Sequence, residues 1–142
     1  MLATLRQPHG ASDITAGMSA PAGRSLMATG ASVRLAYGLA AMFAPRFMAG
    51  RYAPAEPESV MSLRGFGGQY IAIAVFTLFS ARSRHLARPA LLLNVGVDVC
   101  DAMAGGFEVR EKGVGDPIAV GGVTLPAINL ATWLWALRKL GR

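Results

Sequence analysis

Four long apolar stretches, separated by short charged ones, organise this chain. They fall at about residues 27–49, 63–81, 86–107 and 117–137. Each is roughly 17–22 residues long, close to the ~20 residues that cross a bilayer as a helix. The helices of a soluble bundle show a polar face at every turn, and these stretches do not. The pattern predicts an all-α fold, a four-helix transmembrane bundle. Residues 1–26 differ: they are polar, rich in Gly, Ser and Ala, and lack the apolar core of a secretory signal. They are expected to form a disordered N-terminal leader, with residues 27–142 as the transmembrane domain. On that reading Met18 and Met27 are alternative start positions.

Within the first block Ala36, Ala40 and Ala44 recur every four residues and offer one smooth face for close helix packing. Arg34 interrupts one end of this block, and Pro45-Arg46 marks the other. The connector that follows carries Pro54, Glu56, Pro57 and Glu58, and a short interfacial helix is expected to start near Glu58. Gly65, Gly67 and Gly68 open the second block. They lack the preceding strand and the Gly-Lys-Ser/Thr ending of a phosphate loop. Close helix contact or a kinked helix start is the simpler use for them.

Composition strengthens the membrane reading. Hydrophobic residues make up 53% of the chain and charged residues only 15%, against about 25% charged in soluble domains. The net charge is +6, with 12 of the 14 basic residues being Arg. These residues sit at block ends, not in a stripe interleaved with aromatics, so a nucleic-acid partner is not expected. Their placement sets an orientation. The turn with Arg82, Arg84 and Arg88 holds no acid; Arg138, Lys139 and Arg142 close the chain; Arg6 and Arg24 lie in the leader. The other two loops hold Glu56 and Glu58, and Glu108, Glu111 and Asp116. Basic loops stay inside, so both termini are expected in the cytoplasm. Trp133 and Trp135 fit an aromatic belt, with core packing as the alternative.

Cys100 is the single cysteine, which rules out an intrachain disulfide; in an apolar block it reads as a small packing residue. His9 and His85 are not placed to ligate haem within a bundle. No cluster suggests zinc, and no cofactor is expected.

The candidate chemistry lies in two acids inside the third block. Asn94, Asp98 and Asp101 are spaced four and three apart and share one helix face. At 1.5 Å per residue from the basic turn, they lie roughly 9, 15 and 20 Å deep. On the second helix Gln69 lies roughly 18 Å and Arg64 roughly 25 Å from the same side. Arg34 on the first helix matches the depth of Asn94, Tyr37 lies slightly deeper, and Asn129 on the fourth matches Asp98. An inward polar seam is therefore expected. Arg64 pairs with Asp101, with Gln69 as a bridge, and Asp98 is held by Asn129, Tyr37 or Arg34. Such a seam is a lock on helix register or a proton or polar-ligand site; the remaining alternative is that the third helix ends early and leaves Asp98 and Asp101 in an outer loop.

These motifs resemble small bacterial four-helix membrane proteins similar to the DoxX-like families. The resemblance rests on the Ala44-Pro45-Arg46 step, the acidic Pro-containing loop, the Arg64-Gly65-Phe66-Gly67 helix start and the Asp98-x-x-Asp101 step, and it covers about residues 30–140. Many such proteins carry Arg or Glu where this chain has Gln69. The resemblance implies a bacterial inner-membrane location and no particular activity. The first functional expectation is a non-catalytic accessory or structural membrane component. Its partners would be the bilayer and a larger membrane complex or further copies of the chain. The alternatives are a proton-coupled carrier or polar-ligand module using Asp98 and Asp101, and a membrane redox or quinone-linked protein.

Overall fold

A computed structural model describes residues 12–49, 57–83 and 85–140. The described chain is helical. Its elements are α1 (Ser12–Phe43), α2 (Pro45–Ala49), α3 (Pro57–Ser80), α4 (Ala87–Lys112) and α5 (Pro117–Leu140). Three segments are long and apolar enough to cross a membrane: Pro21–Phe43, Ala87–Lys112 and Ala119–Leu140. The second expected span, in α3, is not among them. Arg64, Gln69 and three glycines occupy its first half and dilute its apolar second half.

Local chemistry sets the element ends. Pro45 disfavours helix at the residue before it and has no N–H to give, so α1 gives way to the short α2 at Ala44. α4 stops at Gly113, which takes φ 87° and donates its N–H to the Val109 carbonyl at 2.8 Å. Asp116 then caps α5, accepting from the Ala119 N–H at 3.3 Å, with Pro117 in the first helical position.

The expected leader differs from the structure. Residues 1–11 lie outside the described residues, but from Ser12 the chain is already helical. Tertiary contact supports the added turns. Gly23 is buried against Leu140 and Ala136 of α5, and Leu26 packs on a cluster of Met27, Ala81, Ala87, Ala90, Leu91, Trp133 and Ala136. Hydropathy alone undervalues a Gly/Ala face that packs through backbone contact. The connector at residues 50–56 and Arg84 also lie outside the described residues.

α1, α3, α4 and α5 pack side by side, with sequence neighbours antiparallel. α1 crosses α3 at Gly38 and Gly67. A Cβ on Gly38 would sit 2.9 Å from the Gly67 carbonyl oxygen, and one on Gly67 would sit 2.7 Å from that of Gly38. α4 crosses α5 at Gly105 and Gly122, where a Cβ on Gly105 would collide with the Gly122 backbone. In lipid the apolar side chain gains little from burial against another helix. Close backbone approach at small residues supplies the contact energy instead. α3 and α4 touch far less than α1 and α3 or α4 and α5 do, and two hydrogen bonds described below link them.

The buried stripe of α1 is Gly23, Met27, Ala31, Arg34, Gly38 and Ala41, at steps of four and three. The expected alanine face is therefore not the packing face: Ala36 and Ala44 are exposed and Ala40 is half-buried. Trp133 is fully buried, so it is a core residue; Trp135 is exposed. Cys100 is exposed and points away from the bundle, not into its packing. Much of the outer surface is apolar, with Val33, Phe43, Phe79, Leu92, Met103, Phe107 and Ile128 all exposed. The interior holds the buried polar residues Arg34, Thr77, Ser80, Asn94 and Asp98.

Candidate functional site

The polar interior divides into two groups of side chains. The first is a knot built on Arg34. Its Nη2 donates to Asp98 Oδ1 and its Nη1 to Asn94 Oδ1 at 2.6 Å. The second oxygen of Asp98 accepts from Trp133 Nε1 at 2.6 Å, and Asn129 is a further, weaker polar neighbour. Asn94 Nδ2 donates to Thr77 Oγ1 and to the Ala90 carbonyl, both at 2.8 Å, and Thr77 Oγ1 donates in turn to the Ile73 carbonyl at 2.7 Å. Four helices thus meet in one network: α1 through Arg34, α3 through Thr77, α4 through Asn94 and Asp98, α5 through Trp133. The guanidinium carbon also lies 4.9 Å from the Tyr70 ring centroid and 5.7 Å from that of Trp133. Asn94, Asp98 and Trp133 have no exposed surface, and Arg34 is 3% exposed. A charge pair this deep survives because each partner is hydrogen-bonded as well as paired. Within this network Arg34 Nε is buried with no hydrogen-bond partner, as are Arg24 Nε and Ser80 Oγ elsewhere in the described residues.

The second group lies one turn further along α4. Asp101 is half-buried, and its Oδ2 accepts from the Tyr70 hydroxyl. Tyr70 stacks at a tilt on Phe66, with centroids 4.3 Å apart, and on Tyr37 at 5.7 Å. These residues open onto a cavity of about 620 Å³ bounded by all four long helices. Tyr37, Phe66, Tyr70, Asp101, Leu125 and Asn129 are among its lining residues, together with Arg34. Glu108 and Lys112 stand at its far end, ion-paired with each other at 2.6 Å and each about half exposed. Pro126 lies in the wall. It has no N–H to return to the Gly122 carbonyl one turn earlier, and Gly122 lines the same cavity.

Several expected partners meet and others do not. Arg34, Asn94 and Asp98 come together, and Tyr37, Asp101 and Asn129 share the cavity. Arg64 and Gln69 do not join them: both are exposed, and the expected Arg64–Asp101 pair is replaced by Tyr70–Asp101. Depth was a sound guide to height but not to rotation. One residue turns a helix by 100°, so Gln69 and Tyr70 cannot both face inward. Arg64, six residues before Tyr70, lies 240° around from it.

Trp133, Tyr70 and Thr77 were not anticipated as site residues. Two of them carry a readable signal. Trp133 lies four residues after Asn129, and Thr77 seven after Tyr70, so each shares a face with a polar neighbour. Among the described residues no three His, Cys, Asp or Glu side chains converge as a metal site would require. Compared with protein-family models, with curated proteins and with solved structures, the chain finds no match in any of the three.

Proposed function

We propose that this chain is a non-catalytic integral membrane protein that binds a small amphipathic molecule inside its helix bundle. The observation that carries the reading is the cavity. Its volume of about 620 Å³ falls within the roughly 300–1,000 Å³ typical of ligand pockets. Its walls are mostly apolar, with a few polar groups set among them, which is the usual make-up of such a pocket. Short connections between the helices leave little surface outside the membrane to host a site, which favours an accessory or structural component. A site within the bundle removes that objection. The Arg34–Asp98 knot keeps the structural role and holds the four helices in register.

In this reading α3 is the fourth membrane span. It packs antiparallel on α1 through Gly38 and Gly67, and its outer residues Val75, Phe76 and Phe79 are exposed and apolar. Arg82 and Arg88 flank the α3–α4 turn, and Arg138 and Lys139 end α5, with no acid among them, whereas at the opposite end Glu108, Glu111 and Asp116 accompany Arg110 and Lys112. That asymmetry favours both termini in the cytoplasm. We place the chain in the bacterial inner membrane, beside the DoxX-like proteins its motifs resemble.

Cysteine labelling tests the cavity. Ala104 lines it, and Cys100 on the preceding turn faces outward. In a Cys100→Ser background, Ala104→Cys in lipid nanodiscs should react with a water-soluble thiol reagent at least tenfold faster than Cys100 of the parent chain. Equal rates would show that the cavity is closed to water and would remove the ligand-binding reading.

A further inference from the structure

The charges around the cavity do not cancel, and this points to the class of ligand. Arg34 is neutralised by Asp98, and Lys112 by Glu108. Asp101 is left, with Tyr70 holding Oδ2 and no described residue pairing with Oδ1. A half-buried carboxylate with one neutral hydrogen bond is under-compensated in a mostly apolar cavity. The groups beside it are suited to a cation. Tyr37, Phe66 and Tyr70 form an aromatic cluster whose ring faces attract positive charge. Val33 and Leu125 extend the wall as apolar surface.

We infer that the cavity takes a lipophilic ammonium, its N–H groups directed to Asp101 and its apolar body against the aromatic cluster and Leu125. This rests on the ligand-binding reading above and adds the charge and donor chemistry of the ligand. Arg34 does not oppose it, because its guanidinium is held by Asp98 and Asn94 and is almost fully covered. A neutral alcohol of the same shape loses the ion pair, and a carboxylate meets like charge.

The test compares three probes of one shape: 4-phenylbutylamine, 4-phenylbutanol and 4-phenylbutyrate. Binding to the full chain in nanodiscs of neutral lipid is measured by equilibrium dialysis, with empty nanodiscs subtracted. The amine should bind at least tenfold more tightly than the alcohol, and the carboxylate least. Asp101→Asn should bring amine and alcohol level, and Asp101→Glu should restore the preference. That rescue separates a charge effect from a folding defect, and thermal unfolding of each variant checks the fold directly. Equal binding of amine and alcohol by the parent chain, or an unchanged preference in Asp101→Asn, would overturn the ammonium assignment. Absence of amine binding would overturn it too. Labelling of Ala104→Cys decides independently whether the cavity itself stands.

Discussion

Asp98 and Asp101 sit three residues apart on one face of α4, yet their surroundings give them different work. Asp98 has no exposed surface and is held through both oxygens, by Arg34 and by Trp133. Asp101 is half-buried, takes one hydrogen bond from Tyr70 and opens onto the cavity. The charge of the first is satisfied within the protein, so the residue locks helices together. The charge of the second is not, so the residue can take part in binding. An acid in an apolar helix is informative only once its partners have been counted.

The largest effect expected from breaking this contrast is at Asp98. Asp98→Ala leaves Arg34 charged and buried without a counter-ion. It should cost about 3–5 kcal/mol, measured by reversible unfolding in mixed micelles. A loss below about 1 kcal/mol would mean the pair is hydrated or not formed. Next is Trp133→Phe, which keeps an aromatic ring but removes the indole N–H donor to the Asp98 carboxylate. Hydrogen bonds to charged groups contribute about 1.5–3 kcal/mol, and the melting temperature of this variant should fall accordingly.

Gly105→Ala should cost about 1–3 kcal/mol, since the added methyl meets the Gly122 backbone and the helices must part. Gly106→Ala, where nothing lies within 4 Å, should be neutral or slightly stabilising in the same assay. If the two adjacent variants behaved alike, the α4–α5 crossing would be misplaced. Asp101→Asn should have the smallest effect on stability, under about 1 kcal/mol, because the amide oxygen still accepts from Tyr70. Its consequence belongs in ligand binding.

Much of the helical layout is legible in the sequence. The apolar blocks at about 86–107 and 117–137 lie within α4 and α5, and the proline step at Ala44-Pro45 does separate two helices. The inward acids are legible too, as is the common depth of Arg34 and Asn94, which are hydrogen-bonded. Rotation about the helix axis is not. In a soluble helix the polar face marks the outside, but here both the packing face and the outer face are apolar or small. Hence Ala36, Ala40 and Ala44 resemble an interface, while the buried face runs through Ala31, Arg34, Gly38 and Ala41. The Arg64–Asp101 expectation failed for the same reason. The helical turns from Ser12 to Leu26 were hidden differently: polar and small residues read as leader until the contacts of Gly23 and Leu26 with the rest of the fold are seen.

The contrast between the two acids is open to one direct measurement. The folded chain in nanodiscs is treated with a water-soluble carbodiimide and an amine nucleophile, and modification of each acid is read by tandem mass spectrometry. The expected result is modification of Asp101 with Asp98 protected until the protein is unfolded. Equal modification of both in the folded protein, or faster modification of Asp98, would contradict the division into a sealed lock and an open site.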